Sequence, residues 1–350
     1  MLLGKPNPHG GDIYHNKAEL DFSSNVNPAG MPEGVRQAIC LAAADCTAYP
    51  DPYCTVLREK LAEAEQVPAG WILCGNGSAE LIYQYAYALQ KDRPVLIVEP
   101  AFLEYEQAAL AAGLGSAHWF LREEDGFCLT DAFLSADLSA YGALFLCSPN
   151  NPTGLCIAPS LLHRILEACA EAGTRVFCDL CFLDLTQEPG RYGLPELAEA
   201  FPNLTILRAF TKNYAMAGVR LGYAVSSDMD FLERMASAGP CWNVSTLAQA
   251  AGIAALENAD WLRGSVEAIT AERERMREAL CAMGLRVYPG EANFLFLYSE
   301  FDFPAALLKK GILVRDCTNY AGIGSGYFRI AIRTPKENER LLQAVREVMP

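Results

Sequence analysis

The sequence predicts an α/β protein in which helices cover both faces of a mostly parallel sheet, with a smaller α+β domain after it and an extended arm before it. Three observations predict this. From about residue 55, helix-like stretches alternate with short apolar runs; Pro and Gly stand at the ends of those runs, as in Glu99-Pro100, Ser148-Pro149 and Gly222; and the texture changes after about residue 245. The helix-like stretches are 56–66, 79–90, 103–112 and 159–172, and the strand candidates are 71–74, 95–98, 143–147, 175–178, 204–209 and 221–226. Beyond 245, a long charged helix at 259–283 carries Arg273, Arg275, Arg277 and Glu278, and strand-like pieces follow at 294–298, 312–315 and 328–332. The first 30 residues hold Pro6, Pro8, Pro28, Gly4, Gly10, Gly11 and Gly30, and read as an extended arm rather than a packed element. The expected division is arm 1–30, large domain 31–245 and small domain 246–350, with 31–46 open to packing against the small domain.

Composition narrows the function classes. The 350 residues are 51% hydrophobic and 20% charged, enough to bury a large core. No stretch approaches the roughly 18–20 uninterrupted apolar residues of a membrane helix. The start, Met1-Leu2-Leu3-Gly4-Lys5-Pro6, lacks the apolar segment of a signal peptide, so a cytoplasmic protein without a membrane role is expected. A formal net charge of −14 repels phosphate backbones, and no nucleic-acid partner is expected. Any anionic ligand needs a local basic site, which makes single arginines informative.

The 13 cysteines lack framework spacing and read as buried free thiols. In the one C-x-x-C, Cys178-Asp179-Leu180-Cys181, strand geometry separates the two Cα atoms by about 10 Å, beyond the roughly 7 Å a disulfide allows. No second ligand pair or nearby His accompanies it, so no metal site is expected.

Four segments carry chemistry. Gly75-Asn76-Gly77-Ser78-Ala79-Glu80-Leu81 follows a strand and opens a helix, where glycines and free N–H groups suit an anion; a plain strand-to-helix turn capped by Ser78 fits it as well. Glu80 at the sixth position excludes a dinucleotide fingerprint. Ser148-Pro149-Asn150-Asn151-Pro152-Thr153-Gly154 fixes a rigid loop at a strand's carboxyl end, the ligand-binding end of α/β sheets. Asp179, inside an apolar strand, requires a cationic partner or solvent. Thr211-Lys212 follows another strand, with Gly218-Val219-Arg220 close behind. Neighbouring positive charge lowers a lysine's pKa toward nucleophilicity, and an arginine can hold a phosphate.

Together, in this order and spacing, the glycine turn, S-P-N-N-P-T-G, the Asp-bearing strand and T-K-x(7)-R resemble the pyridoxal-5′-phosphate (PLP)-dependent class I/II aminotransferases of fold type I. The resemblance spans nearly the whole chain. It implies the three-layer fold type I large domain, PLP as cofactor, and a homodimer with active sites shared across the interface. Lys212 would hold PLP as a Schiff base. Asp179 would pair with the ring nitrogen, Asn151 would bond the ring 3-oxygen, and Phe102 would stack on the ring. Gly77, Ser78, Ala79, Thr211 and Arg220 would hold the phosphate. Tyr49, in Tyr49-Pro50-Asp51-Pro52, would reach the partner's cofactor, and Arg329, in Phe328-Arg329-Ile330-Ala331-Ile332-Arg333, would take the substrate α-carboxylate as a bidentate pair. Two departures stand out. Where the family usually reads D-E-A-[YF], this chain has Asp179-Leu180-Cys181-Phe182; Phe182 is in the cofactor set by position but cannot donate to the 3-oxygen. Ala209 stands where a Ser or Thr often adds a phosphate bond.

Within the family, His9-Gly10-Gly11-Asp12-Ile13-Tyr14 and Leu20-Asp21-Phe22-Ser23-Ser24-Asn25-Val26-Asn27-Pro28 are similar to the arm of the L-threonine-O-3-phosphate decarboxylases of cobalamin synthesis. This implies a small phosphorylated amino acid as substrate. Arg329 and Arg333, helped by His9, Asn27 and Asn151, would hold its carboxylate and phosphate. Lys212 or Tyr49 would return a proton to Cα after CO₂ leaves. Positioning decides between outcomes, because only the Cα bond perpendicular to the ring breaks. A histidinol-phosphate or related aminotransferase stays open as an alternative, and so does a PLP-binding homologue without turnover.

Overall fold

The computed structural model describes residues 9–349. Residues 1–8 of the expected arm, with Gly4, Pro6 and Pro8, lie outside the described residues, as does Pro350. Strand β1 is Leu20–Asp21. The central sheet is built from β2 (Ile72–Gly75), β3 (Val95–Glu99), β4 (Ser116–Phe120), β5 (Ala143–Cys147), β6 (Arg175–Asp179), β7 (Leu204–Ala209) and β8 (Gly222–Val225). Their order is β2-β8-β7-β6-β5-β3-β4, and β8 runs antiparallel to both its neighbours while the remaining pairs are parallel.

Every residue of β3 and β7 is buried, because helices cover both faces and leave no solvent side for a polar alternation. Alternate residues serve the two layers. Val176 and Ile206 pack with Leu161 and Ile165 of the helix Pro159–Glu171, while Phe177 and Leu207 pack with Tyr85, Tyr105 and Phe231 from the helices Ser78–Ala88, Glu104–Ala111 and Met229–Ser237. The topology also gathers the loops. Since β2 opposes β8 and β8 opposes β7, strands β2, β3, β5, β6 and β7 all end at one edge, and β8 begins there.

The C-terminal part holds β9 (Arg286–Tyr288), β10 (Phe294–Tyr298), β11 (Ile312–Leu313), β12 (Arg315–Asp316) and β13 (Tyr327–Ala331). The antiparallel sheet β12-β13-β10-β9 is covered by the helices Ala259–Ala282, Phe303–Lys309 and Pro335–Val348 through Met276, Leu280, Leu307 and Leu341. No described helix is long and apolar enough to cross a membrane.

The structure corrects several expectations. Residues 20–27 are packed rather than an unpacked extended arm: β1 pairs in parallel with β11, Phe22 is fully buried, and its carbonyl accepts from Ala331 N–H at 2.8 Å. The apolar Phe22 drives this, since only a core position removes it from water. The expected strand 312–315 breaks at Val314 into β11 and β12, which belong to different sheets. Strand β4 escapes the pattern because it is a half-buried edge strand reading Ser-Ala-His-Trp-Phe. All thirteen cysteines are free, but Cys40, Cys46, Cys128, Cys241 and Cys281 are exposed rather than buried.

Candidate active site at the carboxyl edge of the sheet

A cavity of about 230 Å³ opens where the strands end. Its floor begins at the turn after β2. Gly77 has φ +80°, and a Cβ there would run into the Arg220 guanidinium, so glycine is required both by backbone and by space. Arg220 itself has φ 63° just before β8, a strained conformation that aims its side chain back at Gly77. The helix starting at Ser78 has no capping side chain among the described residues, and its first turn opens beside this guanidinium, an arrangement suited to an anion. Ser78 Oγ donates to the Arg208 carbonyl at 3.2 Å.

At the end of β6, Asp179 is buried and its pKa is raised by burial. Opposing this, Cys181 N–H donates to Oδ1 at 2.9 Å and Tyr105 Oη donates to Oδ2 at 2.7 Å. Lys212 sits on the short helix Phe210–Asn213 after β7, with its Nζ 6.0 Å from the Phe182 ring centre. Its pKa is lowered to about 8, first by burial and then by repulsion from Arg329 and Arg220, with Cys181 and Asp179 acting the other way. With its pKa near 8 a minor fraction of this amine is neutral at physiological pH, and that fraction can act as a nucleophile.

The loop after β5 is held by its own hydrogen bonds. Ser148 Oγ bonds Tyr192 Oη at 2.5 Å and accepts from Ile157 N–H at 2.9 Å, and Asn150 N–H donates to Leu155 O at 2.8 Å. Asn151 Oδ1 accepts from Arg329 Nη1 and, at 3.3 Å, from Tyr320 Oη. Its Nδ2 has no protein partner among the described residues and borders the cavity.

Arg329 on β13 is buried, and burial holds its pKa below the ordinary guanidinium value. Its Nη2 donates to Ser23 O at 2.8 Å. With the amide turned to satisfy both groups, Asn25 Oδ1 accepts from Arg329 Nε at 3.2 Å and Nη1 at 3.1 Å. Arg315 stands directly opposite Arg329 across the β12–β13 pair and also lines the cavity. It donates to Asp316 O and Asn319 Oδ1, each at 2.7 Å. Two buried like charges side by side favour an anion between or beyond them. His9 also lines the cavity; its Nε2 lies 2.5 Å from Glu104 Oε1 and its ring 5.3 Å from Phe102.

The cavity wall thus gathers His9, Ser78, Ala79, Phe102, Asn151, Asp179, Phe182, Thr211, Lys212, Arg220 and Arg329, with Gly77 beneath it. Tyr49 is not part of it: this side chain is 78% exposed and stacks on Trp242 at 4.5 Å. Two expectations are corrected. Arg333 lies beyond the end of β13, where its guanidinium pairs with Glu337 at 3.3 Å, off the cavity wall. Asn27 is buried behind the wall, its amide bonded to Asn213 O at 2.8 Å and Ser265 Oγ at 2.7 Å, and so faces protein rather than substrate. Sequence reasoning missed Arg315, Tyr320, Tyr105 and Asn25. Arg315 carried a signal, a cation closing an apolar strand-like run, whereas Tyr105 reads as one more aromatic on a helix.

A family model for aminotransferase class I and II matches residues 17–345. The chain is 42% identical over 335 residues to the threonine-phosphate decarboxylase of Salmonella typhimurium, covering 94% of this chain and 91% of that protein. Among solved structures, it aligns with the histidinol-phosphate aminotransferase from Clostridium acetobutylicum with a TM-score of 0.88 at 28% identity, over 94% of this chain and 98% of that one. It aligns with the L-threonine-O-3-phosphate decarboxylase from Porphyromonas gingivalis with a TM-score of 0.83 at 26% identity, again over 94% and 98%.

Proposed function

The chain belongs to the class I and II aminotransferase family, and on that premise we propose that it is a PLP-dependent carboxy-lyase converting L-threonine O-3-phosphate to 1-amino-2-propanol phosphate. The observation that carries the reading is the Arg315–Arg329 pair in the cavity that also holds Lys212. A substrate with both a carboxylate and a phosphate needs two cations within reach of the reacting amine. The 42% identity to a threonine-phosphate decarboxylase supports the choice of reaction.

The residues present fit PLP. The cradle of Gly77, Ser78, Ala79, Thr211 and Arg220 suits its phosphate, since a Cβ at Gly77 would fill the place beside the guanidinium. Asn151 Nδ2, lacking a protein partner among the described residues, suits the ring 3-oxygen. Asp179 suits the ring nitrogen, Phe102 and Phe182 the ring's surroundings, and Lys212 the carbonyl carbon. When bound, PLP supplies an electron sink conjugated to the substrate Cα.

The chain's own residues do the rest. Lys212 offers a partly neutral amine for cofactor attachment and for exchange with the substrate amine. Asp179, which accepts from Tyr105 Oη and Cys181 N–H, would hold the proton on the ring nitrogen. Arg329 takes the carboxylate and sets its angle, while Arg315 and His9 take the phosphate. The Cα–carboxylate bond breaks, its electron pair stays with Cα, and CO₂ departs. Lys212 Nζ, having taken up the proton that the substrate ammonium gives up on displacing it, would then deliver that proton to Cα, with Tyr49 of a second subunit as the alternative donor. This reading includes a homodimer.

The test is product analysis. PLP-loaded protein is incubated with L-threonine O-phosphate and no keto acid, and products are followed by mass spectrometry. Accumulation of aminopropanol phosphate over many turnovers is expected. Amino transfer from histidinol phosphate to 2-oxoglutarate, without CO₂ loss, would instead support the aminotransferase reading, which the TM-score of 0.88 to such an enzyme favours.

A further inference from the structure

We propose that residues 23–27 form a strap that fixes Arg329 relative to Lys212, with Asn27 the positioning residue at its lysine end. This deepens the function proposed above and rests on the roles given there to those two residues.

Both ends of the strap are bonded. At one end Ser23 O accepts from Arg329 Nη2 at 2.8 Å, and Asn25 Oδ1 accepts from the same guanidinium. Two residues on, Asn27 N–H donates to Lys212 O at 3.0 Å and Asn27 Nδ2 donates to Asn213 O at 2.8 Å. One side chain and its own backbone therefore hold two consecutive carbonyls of the lysine turn. The second Nδ2 proton goes to Ser265 Oγ at 2.7 Å, tying the clasp to the helix Ala259–Ala282. Asn27 Oδ1 accepts from Ala29 N–H at 3.0 Å, which fixes the rotamer. Only 2% of Asn27 is exposed, and its amide is fully engaged by protein.

The strap is anchored before it begins. Phe22 is buried and paired through its backbone to Leu313 and Ala331, and Asp21 Oδ1 accepts from Ser23 N–H at 2.8 Å and Ser23 Oγ at 2.6 Å. The lysine turn is held from its other side as well. Asn213 Nδ2 donates to Asp184 Oδ2, and Arg208 Nη2 to Asp184 Oδ1, each at 2.6 Å. Arg329 and Lys212 come from different sheets, so without the strap their separation would follow every small movement of one sheet against the other. Decarboxylation needs the carboxylate held at a set angle while the amine stays within reach of Cα, and a misplacement of about 1 Å costs on the order of 10²-fold in rate.

The experiment compares Asn27→Ala with Ser265→Ala by two readouts. In cofactor-free protein, the pH dependence of Lys212 modification by an amine-directed acylating reagent is followed by mass spectrometry. In loaded protein, kcat and KM are measured separately. Asn27→Ala is expected to move the Lys212 midpoint upward from near 8 toward that of an ordinary lysine, because a loosened turn lets the amine reach water. The same variant is expected to lower kcat about ten- to a hundred-fold with KM within roughly threefold. Ser265→Ala leaves both carbonyl bonds in place and is expected to keep the wild-type midpoint. If Asn27→Ala does not fold, Asn27→Asp, equal in shape but without the Nδ2 donors, carries the same expectation. A wild-type lysine midpoint in the Asn27 variant, or a raised KM with unchanged kcat, overturns the strap. Wild-type protein inactive on threonine phosphate would overturn the assigned reaction instead, and the lysine midpoint would still decide the strap.

Discussion

Tyr105 Oη donates a 2.7 Å hydrogen bond to Asp179 Oδ2, and both side chains are buried. Burial pushes the Asp179 pKa up and pushes the Tyr105 phenol well above its ordinary value, so the phenol stays a donor across the working pH range. Tyr105→Phe removes that donor and leaves the carboxylate to Cys181, through its N–H and its thiol, and to the charge of Lys212. A lost bond to a buried charge costs about 1–3 kcal/mol. Urea denaturation of cofactor-free protein at neutral pH is expected to show a loss of that order. The loss shrinks as pH falls through the raised Asp179 pKa, because the protonated acid no longer needs the donor. A variant as stable as wild type at neutral pH would mean that Tyr105 does not support the ionised form.

Lys212 gives a pH signature of opposite origin. Its folded pKa is lowered from 10.5 to about 8, so below about pH 8 the amine is charged in both folded and unfolded chains and its burial destabilises the fold in full. Between about 8 and 10.5 the folded chain carries fewer protons than the unfolded one, and stability rises with pH. Cofactor-free Lys212→Met is therefore expected to be more stable than wild type at neutral pH, with the gap closing across that window. Denaturation at several pH values checks the sign. The same variant is expected to lose the visible absorbance of the PLP imine; a surviving band would sink the lysine assignment.

How far the sequence could be read depended on how local each signal was. Asp179 ends a short apolar strand, and Asn151 and Lys212 each follow one within their own motif, so strand ends alone bring them to one edge. Arg333 failed for a geometric reason. Strand alternation puts residues 329, 331 and 333 on one face, but β13 stops at Ala331 and the chain turns into the capping box of Thr334 and Glu337. Arg315 was within a recognised strand candidate, yet the break at Val314 moves it to another sheet and opposite Arg329, a pairing no single-strand pattern encodes. Asn27 was placed in the right neighbourhood with the wrong partners, since an amide's hydrogen bonds across more than 180 residues leave no local trace.

Arg315 and Arg333 separate by substitution. Arg315→Lys keeps the charge but loses the planar fork, and is expected to raise KM for a phosphorylated substrate about tenfold or more. Arg333→Ala removes only a partly exposed pair with Glu337, and KM is expected to stay within roughly twofold. Steady-state kinetics on both variants checks this. Equal effects would return Arg333 to the substrate site.

Gly77→Ala tests the phosphate cradle through the backbone turn and through Arg220, which the added Cβ would push aside. The substitution imposes a Cβ at φ +80° and against the Arg220 guanidinium. With ψ 159° the residue lies in a region open essentially to glycine alone, where backbone strain costs about 1–3 kcal/mol, and displacement of Arg220 adds to it. PLP affinity, measured by fluorescence titration, is expected to fall at least tenfold, with circular dichroism unchanged. Wild-type affinity would place the cofactor phosphate elsewhere.

Tyr49 leads to a test of assembly. It is 78% exposed and stacked on Trp242, with Leu41, Tyr53 and Val56 also exposed. These apolar side chains suit a covered face better than solvent. If two chains pair there and Tyr49 serves the neighbouring site, chains carrying Lys212→Ala and chains carrying Tyr49→Ala complement each other. A heterodimer then contains one site with an intact lysine and an intact partner tyrosine. After unfolding and co-refolding equal amounts, random pairing restores about a quarter of wild-type sites. If Tyr49 instead acts within its own chain, each site keeps one defect and no activity returns. Sedimentation of the wild type supplies the matching control, since a monomer would rule out any exchange of Tyr49 between sites.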